Sequence, residues 1–439
     1  MSNNKLIPEI RFPEFKNEGE WEKKVIGDVF TSFSGGTPST SEREFYSGKI
    51  PFIRSAEINR ERTELFITEE GLKNSSAKLV DKGDLLVALY GANSGDSAIS
   101  KINGAINQAI LCLQSDYSNA FTYNFLTLKK DWIVSKFIQG GQGNLSGDIV
   151  KSITVPFPKK KEQQKIATCL SSLDEVIAAH SQKLDLLKDH KKGLMQNLFP
   201  QMSGTGFSGL KDEQDNEKIL SIKQSFKSCS DNIPKYRFKE FENDGEWMEK
   251  KLGEVANFQK GKGISKADIV ENGNLPCIRY GELYTHYKET IDTIKSFTNL
   301  SADELVLSEA NDVIIPASGE TQIDIATASC VLKRGIALGG DLNIIRTEID
   351  GVFLAYYLNS AKKTDIAQLA QGISVVHLYP SQLQTLSISF PQNPQEQQKI
   401  ATCLSSLDAL ITAQKEKIEQ LKLHKKGLMQ GLFPKINDK

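Results

Sequence analysis

The sequence predicts an α+β protein: two similar globular domains joined by two long antiparallel helices that form a coiled coil, with pseudo-two-fold symmetry. Three observations carry this prediction. The segment EQQKIATCLSSLDEVIAAHSQKLDLLKDHKKGLMQNLFP, residues 162–200, returns at residues 396–434 with 28 of 39 positions identical and no gap. Within each copy the apolar residues recur at alternating spacings of four and three, a heptad stripe. Ahead of each copy lie short β-rich runs such as DLLVALY, AILCLQ, DVIIPA and LNIIR, separated by Gly/Ser/Asn-rich turns, the pattern of a mixed domain.

A second repeated pair opens each half. Residues 7–29 return at residues 233–255 with 13 of 23 positions identical. The sequence between these frames diverges, yet IPFIRSAEI from Ile50 parallels LPCIRYGEL from Leu275, and GDLLVALYG from Gly83 parallels NDVIIPASG from Asn311. The predicted organisation is a first domain at residues 1–158, a repeated helix at 159–200, a polar linker at 201–232, a second domain at 233–391 and the second repeated helix at 392–439. One fold thus carries two different surfaces.

The first copy places Ile166, Leu170, Leu173, Ile177, His180, Leu184, Leu187, Lys191, Leu194 and Leu198 on one stripe; the second copy repeats it from Ile400 to Leu432, and Pro200 and Pro434 close both. Each long helix needs an apolar partner, and the other copy is the obvious one. Some 33 helical residues rise roughly 50 Å, so the pair is a ruler as well as a seam. Antiparallel packing would bring His180 and Gln414 together as a polar layer that fixes register. In the following HKKGLMQ-x-LFP tails, Lys192, Met195 and Phe199 and their counterparts Lys426, Met429 and Phe433 are candidates for docking two copies of one partner; intramolecular capping explains the same residues equally well.

Composition narrows the function classes. The chain has 439 residues and a net charge of −1, so no global basic excess advertises nucleic acid, and none is excluded. The six cysteines are scattered without metal-ligand spacing, and the segment opening has no apolar stretch of signal length, so a cytoplasmic protein is expected. GKGISK is not a phosphate-binding GxxxxGK[ST] loop, no GxGxxG occurs, and NPQE at Asn393 departs from the NPPY/F loop of amino-group methyltransferases. No nucleophile–base arrangement stands out, so a self-sufficient enzyme is not expected.

Candidate reading loops combine glycine with polar or aromatic side chains, because glycine admits close backbone approach while Arg, Lys, Asn and Gln reach phosphates or base edges. In the first domain they offer Arg54, Arg60, Tyr90 and Asn93; in the second, Lys260, Lys262, Arg279, Tyr280, Ser318, Thr321 and Gln322. Arg54 and Arg279 occupy equivalent positions, each followed three residues later by a glutamate, so an internal ion pair competes with a DNA contact at both.

The order of variable domain, EQQKIATCLSSLD helix and KKGLMQ-x-LFP tail, written twice, resembles the specificity (S) subunit of bacterial type I restriction–modification systems. The resemblance covers nearly the whole chain. It implies a non-catalytic subunit in which each variable domain is a target-recognition domain reading one half of a bipartite, asymmetric site in double-stranded DNA. The paired helices would set the gap and bind two modification subunits. Against about 34 Å per turn of B-DNA, the helices would hold the half-sites about one to one and a half turns apart. The resemblance puts S-adenosylmethionine, ATP and Mg2+ on the modification and restriction subunits and no cofactor or metal on this chain. A coiled-coil adaptor that binds proteins but no DNA is the alternative, and an autonomous nuclease or methylase a more distant third.

Overall fold

The computed structural model describes residues 5–137, 144–200, 232–372 and 375–435; the expected linker lies outside them except for Asn232. The chain divides into two compact units: residues 1–182 with 415–439, and residues 183–414. Each long helix therefore contributes to both units, and each unit is built from both halves of the sequence.

The first unit contains strands β1 (Glu22–Val25), β2 (Thr31–Ser34), β3 (Ile50–Ile53), β4 (Leu65–Ile67), β5 (Lys78–Val80), β6 (Leu85–Ala88), β7 (Ser97–Ile99), β8 (Gly104–Ile106), β9 (Ile110–Gln114) and β10 (Thr154–Phe157). They form two four-stranded sheets, in the orders β2-β9-β6-β7 and β4-β3-β8-β5, and a ribbon of β1 with β10. The ribbon ties the two ends of the variable region together, Glu22 opposite Phe157 and Val25 opposite Thr154. β6 is buried at every position, Leu85 to Ala88, as a continuous apolar run in a sheet covered on both faces requires. The helix Asn119–Phe137 covers this sheet with Phe121 and Phe125.

The second unit repeats the plan with β11 (Met248–Lys251), β12 (Ala256–Lys260), β13 (Ile269–Val270), β14 (Leu275–Ile278), β15 (Thr290–Ile291), β16 (Ser296–Thr298), β17 (Val306–Leu307), β18 (Asp312–Pro316), β19 (Ser318–Gly319), β20 (Ser329–Val331), β21 (Ala337–Leu338), β22 (Leu342–Thr347), β23 (Val376–His377) and β24 (Ser387–Phe390). Its sheets run β12-β22-β18-β20-β15 and β13-β16-β14-β21-β17, with ribbons β11-β24 and β19-β23. Helix Gly351–Ser360 supplies Phe353 and Tyr357 where the first unit has Phe121 and Phe125. The matching strand orders explain why a common grammar survives between dissimilar sequences: the apolar runs build the same sheets, and the turns are free to vary.

The long helices span Lys160–Asn197 and Pro394–Leu432. In the first unit, Ile166, Ala167 and Leu170 of the central helix share a core with Met429, Leu432 and Phe433. Farther along, Asp174 takes Lys425 at 2.6 Å. Rising numbers on one helix thus meet falling numbers on the other, so the segments are antiparallel there. The second unit shows the same order: Ile400, Ala401 and Leu404 cluster with Leu198 and Phe199, and Asp408 pairs with Lys191 at 2.8 Å. The heptad lysines are therefore ion-paired inside the seam rather than solvated. Gln414 is buried and His180 half-buried on their stripes.

The apolar tails turn inward. Phe433 is 2% exposed, packed on Trp21, Phe121 and Phe125; Phe199 is fully buried against Trp247, Phe353 and Tyr357. Met429 lies in the first core and Met195 packs partly buried against the second. This corrects the expectation that Met195, Phe199, Met429 and Phe433 present a docking surface: the variable domains consume that apolar area themselves. Lys192 and Lys426 remain exposed.

A buried ion pair locks each repeated opening to each repeated helix. Arg11 meets both oxygens of Glu162 at 2.8 Å, and Arg237 meets both oxygens of Glu396 at 2.8 Å. These residues recur because a buried carboxylate needs its partner in either unit.

Candidate nucleic-acid interface

In each unit, strand ends from the two large sheets meet, and the loops that leave them carry most of the candidate residues. β3 and β8 are parallel neighbours, Ile53 opposite Ile106, so both end at the same edge. β2 ends there too: Gly35 lies so close to β8 that a Cβ would fall 1.7 Å from the Ile106 carbonyl, which makes glycine obligatory. β6 joins the edge through Leu89 N–H donating to the Ala109 carbonyl at 2.8 Å. Beyond these ends come Gly36, Arg54, Tyr90 and Gln108, and Thr37 donates to the Gln108 amide oxygen at 2.7 Å.

The second unit builds the same edge. β14 and β21 are parallel, Ile278 opposite Leu338. A Cβ at Gly261 would fall 2.0 Å from the Gly339 carbonyl, Lys262 N–H donates to the Leu338 carbonyl at 2.9 Å, and Gly340 N–H donates to Gly263 at 3.0 Å. Gly339 lies 3.5 Å from the Arg279 Cα by the same construction. The result is a nearly side-chain-free backbone floor with Lys260, Lys262 and Arg279 leaving it.

The two equivalent arginines differ. The Arg54 guanidinium donates to Glu57 at 2.9 and 3.2 Å and also binds Glu64. Burial alone would raise the Glu57 carboxyl, but Arg54 and the backbone N–H groups of Glu64 and Arg54 outweigh it and hold it below the ordinary carboxylate range. Those two glutamates in turn keep Arg54 firmly charged. Arg279 has no such cage. Glu282 accepts from the Arg279 backbone N–H at 2.8 Å and from the Ser296 hydroxyl instead. Among the described residues no carboxylate pairs with the Arg279 side chain, and its buried Nε has no hydrogen-bond partner.

Strand register explains the difference. Phe52 faces Leu65 where Cys277 faces Ser296, so Glu64 in the first unit corresponds to Lys295 in the second. The carboxylate that pairs with the first arginine is replaced, at the equivalent strand position of the second unit, by a lysine.

The remaining candidates divide. Tyr90 is 40% and Tyr280 38% exposed, and Arg60, 3.7 Å from Glu64, points to solvent; Asn93 is half-buried. Lys260 and Lys262 are exposed, with the Lys260 Nζ 5.4 Å from the centre of the Tyr379 ring. Ser318 is buried, and its carbonyl accepts from the Tyr284 hydroxyl at 2.9 Å. The Thr321 hydroxyl caps the turn Gln322–Ile325 by accepting from Asp324 N–H, and Gln322 donates its amide to the Ala370 carbonyl at 3.3 Å. The Thr321 and Gln322 side chains are therefore engaged within the fold, and Ser318 is buried. Ser318 lines a cleft of about 590 Å³ together with Tyr280, Tyr284, Glu320, Asp324 and Val375. Its two carboxylates make it a poor phosphate site. Tyr379 was not singled out from sequence; 46% exposed, it lies more than a hundred residues from Lys260, and only the fold brings them together.

Among the described residues no cluster of His, Cys, Asp or Glu could hold a metal, and no helix is long and apolar enough to cross a membrane.

The family model for the type I restriction modification DNA specificity domain matches the chain twice, at residues 18–189 and 244–423. The MjaVIII and MjaIX type I restriction enzyme specificity subunits of Methanocaldococcus jannaschii are 24% and 26% identical, over 98% and 95% of this chain and 95% and 92% of their own. The crystal structure of the type I restriction–modification S subunit from M. genitalium superposes with a TM-score of 0.59 at 17% identity, covering 98% of this chain and all of that one. Two matched domains with two versions of one strand-end edge place this chain in the type I restriction–modification DNA specificity family.

Proposed function

We propose that the chain is the sequence-reading subunit of a type I restriction–modification complex, each unit contacting one half of a bipartite site in duplex DNA through its strand-end edge. The observation that supports this reading is the repetition of the edge on the same order of core strands with different side chains. An asymmetric bipartite target needs two unlike readers on one frame. The long helices set the unspecified gap, and the chain itself performs no chemistry; S-adenosylmethionine, ATP and Mg2+ belong to its partners, and the complex works in the cytoplasm.

Two modification subunits dock on the helices, but through polar faces rather than the apolar tails. Gln164, Thr168 and Ser172 lie four residues apart, and Gln398, Thr402 and Ser406 repeat them identically; all six are exposed, so burial does not explain their identity. Lys165 and Lys399 are identical for an internal reason, their pairs with Glu14 and Glu240.

The test is the chain co-expressed with its modification subunits, with methylated adenines mapped genome-wide. Exchanging residues 27–158 for the equivalent domain of another family member should change one half-site and leave the other. A change in both would refute the two-reader assignment. Inserting one heptad into both helices should lengthen the gap only.

A further inference from the structure

We propose that Arg279 anchors a backbone phosphate of the half-site read by the second unit, whereas Arg54, at the same place in the fold, is a positioning residue that makes no nucleic-acid contact. The inference rests on the DNA-reading assignment above and adds an inequality between the two units to it.

Arg54 has committed its Nε and Nη2 donors. Its fork closes on Glu57, which is 2% exposed, and on Glu64, so presenting it to a phosphate would strip a buried carboxylate of its counterion. Its work is to hold the loop after β3 against the strand that follows. Arg279 keeps its donors. Its Nε is buried without a partner, a state that a native fold tolerates where a ligand completes the hydrogen bonding. Beside it the chain packs backbone on backbone, Gly261 against Gly339, and leaves Gly263 exposed and Gly340 half-buried without side chains at the surface, where a sugar–phosphate chain can approach. The cations gather here: Lys260 and Lys262 leave the same floor and Lys295 occupies the position of Glu64, while the nearby carboxylate of Glu282 is held by the Arg279 backbone N–H and the Ser296 hydroxyl and Asp341 follows Gly340. Clustered cations without a paired carboxylate favour a phosphate, which rewards charge, over a base edge, which rewards a complete donor–acceptor set.

The experiment uses the complex with its modification subunits and two duplexes, one carrying the mapped target and one with both half-sites scrambled, titrated across a range of KCl. Arg279→Ala should weaken binding to both duplexes about tenfold and lower the slope of log affinity against log salt by about 0.9, one released counterion. Arg279→Lys should keep the slope. Lys295→Glu, which rebuilds the carboxylate over Arg54 in the second unit, should weaken binding at least as much as Arg279→Ala, and Arg54→Ala should leave the slope unchanged. Unfolding of Arg279→Ala should match the parent, since the side chain holds no partner in the fold. The proposal is overturned if Arg279→Ala leaves affinity and slope unchanged, if it relaxes preference at one base pair with the slope intact, or if Arg54→Ala lowers the slope equally. Absence of any salt-dependent binding by the parent complex would instead overturn the DNA-reading assignment itself.

Discussion

The first and second units share a frame and differ at their working edge, and the two kinds of position obey different physics. In the frame, Arg11–Glu162 and Arg237–Glu396 are superimposable in chemistry and distance, because a carboxylate 1% exposed has no alternative to its partner. At the edge, Arg54 is neutralised and Arg279 is not, because exposed strand ends impose no such requirement. Burial preserves residues in duplicate, and exposure releases them, so an exposed residue that stays identical in both copies without an ion pair to explain it, as Lys165 and Lys399 have, signals a constraint from outside the chain.

The inward direction of the repeated tails is the sharpest shared feature, and breaking it should have the largest effect. Phe433→Ala and Phe199→Ala each remove a ring packed against three other aromatics and should cost about 3–5 kcal/mol. Chemical denaturation read by tryptophan fluorescence checks this, since Trp21 and Trp247 touch the two rings. Variants with parental stability but lost partner binding would show that the tails dock a partner after all.

A smaller and unequal effect is expected in the seam. Lys191 meets Asp408 at 2.8 Å and Glu289 at 3.2 Å, three side chains each about 15% exposed or less. Among the described residues Lys425 pairs with Asp174 alone, which is 45% exposed. Lys191→Met would leave two nearly buried carboxylates facing each other and should cost about 3 kcal/mol. Lys425→Met leaves one carboxylate that water can solvate and should cost about 1 kcal/mol or less. Equal losses in thermal unfolding would mean that the seam, not its attachment to the second domain through Glu289, sets the cost.

The architecture was legible because its signals are periodic and long. The heptad stripe named Ile166, Leu170, Ile400, Leu404, Leu407, Ile411 and Ile418, which are buried, while Leu173, Ile177, Leu184 and Leu187 on the same stripe are half-buried, and the duplicated frame named the two domains. The direction of the tails was not legible, since an apolar tail pattern does not say whether its partner lies within the chain. Nor was the fate of the strand-end arginines. Glu64 follows Arg54 by ten residues, whereas its counterpart Lys295 follows Arg279 by sixteen, so the exchange of charge becomes visible only when strand pairing aligns them. Ser318, Thr321 and Gln322 resembled a reading loop in composition, but Ser318 lies buried at a strand end, Thr321 caps a turn and Gln322 donates to the Ala370 carbonyl.

The contrast between the arginines also has a stability signature, the smallest of those expected. Arg54→Ala removes the counterion of Glu57 and should cost about 1–2 kcal/mol at neutral pH, while backbone N–H groups still bind the carboxylate. Because the folded Glu57 carboxyl titrates below its unfolded value, the unfolded chain binds more protons in that window. Its contribution is therefore fully present above the ordinary carboxylate range and is lost as pH falls through the folded value. The parent should accordingly lose stability on acidification more steeply than Arg54→Ala, and the two unfolding curves should converge in acid. Arg279→Ala, which removes no paired carboxylate, should run parallel to the parent at every pH. Convergence by Arg279→Ala would mean that Glu282 depends on Arg279 as Glu57 depends on Arg54, and the two units would then be electrostatically alike.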